Sequence, residues 1–271
     1  MARAAVLGRL SWQVGTVTGI RDEAASARTL TIELPDWPGH AAGQHVDVRL
    51  TAPDGYSAQR SYSIASAPDD REIELTVQRI DDGEASPYLT QTLERGYPLE
   101  LRGPIGGWFV WDPARPEPVL LLAGGSGIVP LMSMIRTRTA AGRTTPFRLL
   151  YSARSPDTVL YAAELAERHL AGNGLTVTYA YTRSAPPDSP RPTGRIDAGL
   201  LAAAGFTPGY APGSAPGYAP GSAADGWPQD TAPAVFVCGP TGFVEAAARL
   251  LVAAGHDPSV IKTERFGPAG G

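Results

Sequence analysis

The sequence predicts an all-β half, of sandwich or barrel type, followed by an α/β half built on a parallel sheet. Three observations carry this expectation. The chain has 271 residues, 43% hydrophobic and 18% charged, which is enough apolar material for a sizeable core in two domains or one large one. Up to about residue 115, apolar and polar residues alternate in short segments cut by Gly, Pro and Asp, the period of half-buried strands. After Pro118, continuous apolar runs alternate with helical patterns, as in a parallel sheet covered on both faces.

Segments 12–20, 28–34, 44–50, 59–65, 72–80 and 97–102 are the expected strands of the first half. Val46, Val48 and Leu50 alternate with polar residues, and so do Ile73, Leu75 and Val77, so each set shares one face. A helix from Ser86 to about Leu93 interrupts them, with Ser86 as N-cap and Pro87 at the first helical position. Pro113, Pro116 and Pro118 mark a linker. Val119–Ala123 then forms a buried strand, Gly124-Gly125-Ser126-Gly127 a turn, and a helix runs to about Arg138. Phe147–Ala153 is a strand, 160–170 a helix and Leu175–Thr182 a third strand. Ala234–Cys238 is the fourth strand, and a helix follows from Thr241, its N-cap, to Ala254. Val260–Arg265 closes the chain. The expected domains are 1–115 and 116–271, with a flexible low-complexity insertion at 205–233. Within it, residues 209–216 read GYAPGSAP and residues 217–224 read GYAPGSAA. Two copies of eight residues are too few and too short for a solenoid.

Composition narrows the chemistry. A formal charge of −4 gives no nucleic-acid footprint. One cysteine excludes a disulfide scaffold, a Cys-based zinc site and a Cys-ligated iron–sulfur cluster within this chain. His40, His45, His169 and His256 show no metal-ligand spacing, so no metal site is expected. No run of about 18 apolar residues is present and no secretory signal is legible, so the expected location is the cytoplasm.

Five short motifs could carry chemistry. Gly124–Pro130 joins an apolar strand to a helix, where bare backbone N–H groups and the helix dipole suit an anion; it equally suits a tight turn. Tyr151-Ser152-Ala153-Arg154 ends a strand of the parallel sheet, where ligands sit in such folds. A hydroxyl and a guanidinium there suit a phosphate monoester such as the 2′-phosphate of NADP, or simply a surface Arg. Cys238-Gly239-Pro240-Thr241 ends another strand, and its Cys also reads as core packing. Arg60-Ser61-Tyr62-Ser63 places Arg60 and Tyr62 on one strand face. Gly103–Phe109 is a turn leading into aromatics.

In this order, the five motifs resemble the ferredoxin–NADP reductase superfamily, with Ala42-Gly43-Gln44 matching its strand-entry Gly-Gln. The resemblance runs from about residue 12 to Phe266, and is to the oxygenase-reductase-like branch without an iron–sulfur domain. It implies a flavin-binding antiparallel β-barrel followed by an open parallel-sheet domain for nicotinamide nucleotide. It further implies that Arg60 binds the flavin phosphate or pyrophosphate, Ser61 is a further cofactor-binding residue, Tyr62 packs on the isoalloxazine or ribityl and Ser63 bonds near flavin N5. Val77, Gln78 and Arg79 would line the flavin through their backbone. Gly83, Ala85 and Ser86 would supply N–H donors to its phosphate. Gly124, Gly125, Ser126, Gly127, Ile128 and Val129 would hold the dinucleotide, and Ser152 and Arg154 would favour NADPH over NADH. Cys238, Gly239, Pro240 and Thr241 would border the nicotinamide, and Glu264 and Phe266 would stand beside the flavin. The catalytic set is then Tyr62, Ser63, Cys238 and Glu264. The cofactors implied are FAD, with FMN an option, and NADPH, with NADH an option. The activity implied is hydride transfer from NADPH to FAD, then single electrons to a separate ferredoxin-like, haem or oxygenase component, or to a small molecule. Two alternatives are a reductase of free flavin or ferric chelates, and an electron-transfer subunit that does not use pyridine nucleotide.

Overall fold

The structure, a computed structural model, describes residues 10–68, 71–208 and 231–267. The first half contains β1 (Trp12–Ala24), β2 (Ala27–Glu33), β3 (His45–Thr51), β4 (Ser57–Ser63), β5 (Glu72–Gln78) and β6 (Pro98–Ile105). They form one antiparallel sheet in the order β4-β3-β6-β1-β2-β5. Its two edges meet where Ile64 bridges Leu75 and the Ala65 N–H donates to Glu74 O at 2.7 Å. That closure makes the sheet a barrel, which leaves fewer strand groups unpaired than a flat sheet would. The alternating residues Val46, Val48, Ile73, Leu75 and Val77 all enter its core, with Leu30, Ile32, Leu99 and Leu101.

The helix expected at 86–93 is a single wide turn, Tyr88–Thr92, closed by Leu93 N–H to Tyr88 O at 2.9 Å. Ser86 does not cap it. Its hydroxyl accepts from Ile80 N–H at 3.0 Å, and Pro87 occupies the cap position. The preceding turn competes successfully for that hydroxyl.

The second half contains β7 (Val119–Gly124), α1 (Ile128–Ala140), β8 (Phe147–Ala153), α2 (Ala162–Leu170), β9 (Leu175–Tyr181), α3 (Ala198–Ala203), β10 (Ala234–Pro240), α4 (Thr241–Ala253) and β11 (Ile261–Phe266). The sheet is parallel, in the order β11-β10-β7-β8-β9. Every residue of β7 and β8 is buried, which is why β7 reads as an unbroken apolar run; β8 also buries Arg148 and Ser152. Leu121, Leu149 and Phe236 pack with α1 on one face, and Leu120, Leu122, Leu150 and Val235 pack with α3 and α4 on the other.

Three local expectations are corrected. α2 starts at Ala162 rather than 160, because Tyr161 adopts a left-handed φ of 57°. Its hydroxyl is bonded to Thr76 of the barrel. Thr241 is the first residue of α4 and Pro240 is its cap. The sequence reading also missed α3, whose six residues are too few to show a period; Asp197 caps it by accepting from Leu200 N–H at 2.8 Å. The repeat at 209–224 lies outside the described residues.

Polar contacts join the two halves. Arg136 of α1 donates to Ala65 O at 3.0 Å and Glu74 at 2.6 Å, and to Glu164 of α2 at 2.6 Å. Ser133 donates to Ser66 O at 2.7 Å. Among the described residues no helix is long and apolar enough to cross a membrane.

Candidate active site at the barrel–sheet junction

From β7 the chain steps outward through β8 to β9, then returns to β10 on the other side of β7. The crevice at the carboxyl ends of β7 and β10 is therefore the topological switch point, where open α/β sheets bind ligands. The glycines there are required by contact. A Cβ on Gly127 would stand 2.1 Å from Cys238 O, and one on Gly124 would stand 2.7 Å from the Phe243 ring. Gly125 has φ +54° and open space where a Cβ would be, so its backbone is bare on the crevice side. This bare turn before α1 fits a dinucleotide phosphate.

Ser152 lies beside Gly124 in register and is nearly buried, and Arg154 follows the end of β8, exposed. The Arg154 carbonyl accepts the N–H groups of Arg183 at 2.9 Å and Ser184 at 3.1 Å. Arg183 is thus a second guanidinium-bearing residue at this end of the sheet, missed because only strand pairing makes it a neighbour of Arg154.

On β4, alternation sorts the Arg60–Ser63 motif. Tyr62 and Arg60 oppose Val46 and Val48, and Ser61 and Ser63 oppose Asp47 and His45. Burial pushes the Tyr62 phenol up to about 12, so it stays neutral. Ser61 donates to Asp47 at 2.7 Å, and Asp47 is paired with Arg102. The Ser61 hydroxyl is thus engaged with a carboxylate of the barrel itself. Arg60 is bonded to Glu84, which also accepts from Tyr56 OH at 2.6 Å. The Arg60 guanidinium thus already has an anionic neighbour.

The segment after β5 is also partly committed. Arg79 N–H donates to Ser26 O at 2.7 Å and Gly83 N–H to Ile80 O at 2.8 Å. Gly83 is therefore not the phosphate donor expected of it, because its N–H closes the local turn. Val77 sits in the barrel core beside exposed Gln78, and Ala85 and Ser86 are buried.

At the junction itself, four side chains come together from distant segments. Cys238 on β10 is paired in register with Glu264 on β11, and Pro240 with Phe266. Cys238 Sγ lies 3.9 Å from Glu264 Oε2. Burial pushes the thiol up, and the Glu264 charge adds to this. Burial also raises Glu264 to about 7, opposed by the Cys238 hydrogen bond. From the barrel, His45 Nδ1 lies 3.7 Å from Glu264 Oε1. Directly across from His45, the buried Ser63 Oγ has no hydrogen-bond partner in the protein. An orphaned buried hydroxyl is costly, and its place here fits a bound heteroaromatic ring that supplies the missing partner.

Comparison with known proteins agrees with this architecture. The family model for the oxidoreductase FAD-binding domain matches residues 15–110. That for the oxidoreductase NAD-binding domain matches residues 121–249. The chain is 34% identical over 226 residues to ferredoxin–NADP reductase B of Sorangium cellulosum, spanning 82% of this chain and 84% of that protein. It is 30% identical over 227 residues to a glycine betaine monooxygenase reductase subunit of Chromohalobacter salexigens, spanning 83% of this chain but 55% of that one. Among solved structures, an Amycolatopsis cytochrome P450 reductase is similar at TM-score 0.76 and 25% identity, covering 98% of this chain and 74% of that one. A Neisseria gonorrhoeae ferredoxin NADP+ reductase with bound FAD and NADP shares the fold at TM-score 0.73 and 20% identity, covering 94% and 98%. The chain thus belongs to the ferredoxin–NADP reductase superfamily, and is a flavoprotein oxidoreductase that uses FAD and NAD(P)H.

Proposed function

We propose that this protein oxidises NADPH and delivers the electrons singly to a separate redox protein, such as a ferredoxin-like, haem or oxygenase component. The observation that carries the reading is the junction cluster. Ser63 and His45 of the barrel meet Cys238 and Glu264 of the sheet beside the bare Gly124–Gly127 turn. That is where a ring held by the barrel and a ring held by the sheet would come within reacting distance. The flavin, when bound, supplies the hydride-accepting and one-electron chemistry.

The chain's own residues bind and orient. Arg60, here bonded to Glu84, would pair with the flavin phosphate, and Tyr62 would pack against the flavin. Ser63 would offer its unpartnered hydroxyl to the flavin near N5. Gly124 to Val129 hold the dinucleotide phosphates, while Ser152, Arg154 and Arg183 meet the 2′-phosphate. Cys238, Gly239 and Pro240 border the nicotinamide, and Glu264 and Phe266 stand on the flavin side. Residues 1–115 form the flavin domain and 116–271 the nucleotide domain. We place the protein in the cytoplasm, where NADPH is available.

Anaerobic addition of NADPH to the FAD-loaded protein tests the reading. We expect bleaching of the flavin bands, then rapid reoxidation by an added redox protein. No bleaching would sink it, and equally fast turnover with free flavin or ferric chelate alone would replace the protein acceptor with a small one.

A further inference from the structure

Glu264 is approached from two elements at once. Oε2 faces Cys238 of β10 at 3.9 Å, and Oε1 faces His45 of β3 at 3.7 Å. The His45 and Glu264 side chains are only 25% and 20% exposed. The imidazole is held in place. Its backbone is paired with Ser63 on one side and Ile105 on the other, and Gly106, at φ +101°, lies beside its ring, where a Cβ would stand 3.6 Å from Nδ1. Gln44 fixes that loop by donating to Gly106 O at 2.6 Å.

We propose that His45 and Glu264 form one titrating unit that holds a single proton on one partner or the other, making His45 the positioning residue that sets when Glu264 is protonated. The inference draws its use from the proposed function, but the unit stands on geometry alone. Two protons leave an imidazolium without a counter-charge, and none leaves a bare carboxylate; burial disfavours both. With one proton the pair is neutral overall, as carboxylic acid and imidazole or as carboxylate and imidazolium. Passing between these states breaks the Oε1–H bond and forms the Nδ1–H bond, the proton moving by way of water across the 3.7 Å gap, with no change in electron count. The exposed quarter of the imidazole lets water replace the proton. Burial raises Glu264 to about 7 and lowers His45, with Asp47 opposing the latter. Two such neighbours titrate as a pair rather than singly.

Other groups also face the pair. From β3, Asp47 acts on His45 in the raising direction, while its carboxylate is also paired with Arg102. From β4 comes the neutral Ser63, from β6 the backbone of Ile105 and Gly106, and from β10 the Cys238 thiol, held protonated by burial.

The test is a pH titration of the His45 ring by NMR in FAD-loaded protein without nucleotide, with the His45→Gln variant assigning the signal. A carboxylate at this distance raises a histidine by about one pH unit or more, so the ring should titrate at least that far above its midpoint in Glu264→Gln. In His45→Gln, the infrared band of the protonated Glu264 carboxyl should persist to higher pH than in the wild type, because the competing base is gone. The pH profile of flavin reduction by NADPH should move the same way at unchanged flavin content. Identical His45 midpoints in wild type and Glu264→Gln would overturn the proposal, even if NADPH bleaches the flavin normally. If Glu264→Gln does not retain FAD, an unmoved carboxyl band in His45→Gln would overturn it instead. A shifted midpoint in a protein that NADPH cannot reduce would sink the proposed function and leave the dyad standing.

Discussion

Glu264 shows how one residue can couple a site to the stability of its fold. Its folded-state value is raised by burial from 4.5 to about 7, so the native state holds that proton more tightly than the unfolded chain. Stability contributed by the protonated form is complete below about pH 4.5 and is lost as pH rises through 7. The interval corresponds to up to about 3 kcal/mol. Glu264→Gln cannot ionise, so its stability relative to wild type should rise between pH 5 and pH 8. Urea unfolding at the two pH values measures this, and an unchanged difference would show that the carboxyl is not held as described. Arg154 makes a second prediction at this scale. A charge-assisted contact to the 2′-phosphate is worth roughly 1.5–3 kcal/mol, about 10- to 150-fold in binding. Arg154→Ala should raise KM for NADPH by that order and leave KM for NADH nearly unchanged, and equal losses would remove Arg154 from the phosphate site.

Helix α1 does two jobs as an element. Its start sits against the β10 turn, where Gly127 meets Cys238 O. Its middle binds the barrel through Arg136, which joins Ala65 and Glu74 of the barrel to Glu164 of α2. The Arg136 side chain is only 13% exposed, so removing it takes a cation from between two half-buried carboxylates. Glu74 keeps Arg21 and Glu164 keeps Arg168, which moderates the loss. Arg136→Met should cost about 2–3 kcal/mol, near the lower end for breaking a buried pair. Arg136→Lys should recover little of it, because an ammonium cannot span both carboxylates as a guanidinium does. Chemical denaturation of the two variants reads this directly. None of these partners is visible in the helix's own sequence, where Arg136 looks like any polar-face residue.

For the whole molecule, the position of the insertion decides its importance. Residues 231–233 lead into the amino end of β10, whereas the Gly124–Gly127 turn and Cys238 lie at the carboxyl ends of the strands. Deleting residues 209–224 should therefore leave anaerobic reduction by NADPH intact. A large loss of nucleotide binding would show that the repeat reaches the site.

Local pattern was sufficient for much of the architecture. Alternation in Val46–Leu50 and Ile73–Val77 identified barrel strands, because one face of each had to be apolar. The unbroken run Val119–Ala123 identified a strand buried on both faces, and the glycines Gly124–Gly127 after it identified a turn into a helix. Hydroxyl competition was not legible, so the caps expected at Ser86 and Thr241 were assigned from type and position alone. The same limit applies to the site. By itself the sequence determined which residue types arrive at the junction and in what chain order. Only the tertiary structure decided that His45 meets Glu264, that Ser61 turns to Asp47 and that Arg60 is shared with Glu84. Those contacts depend on strand register and on how the barrel seats against the sheet, and both are set by core packing over the whole chain.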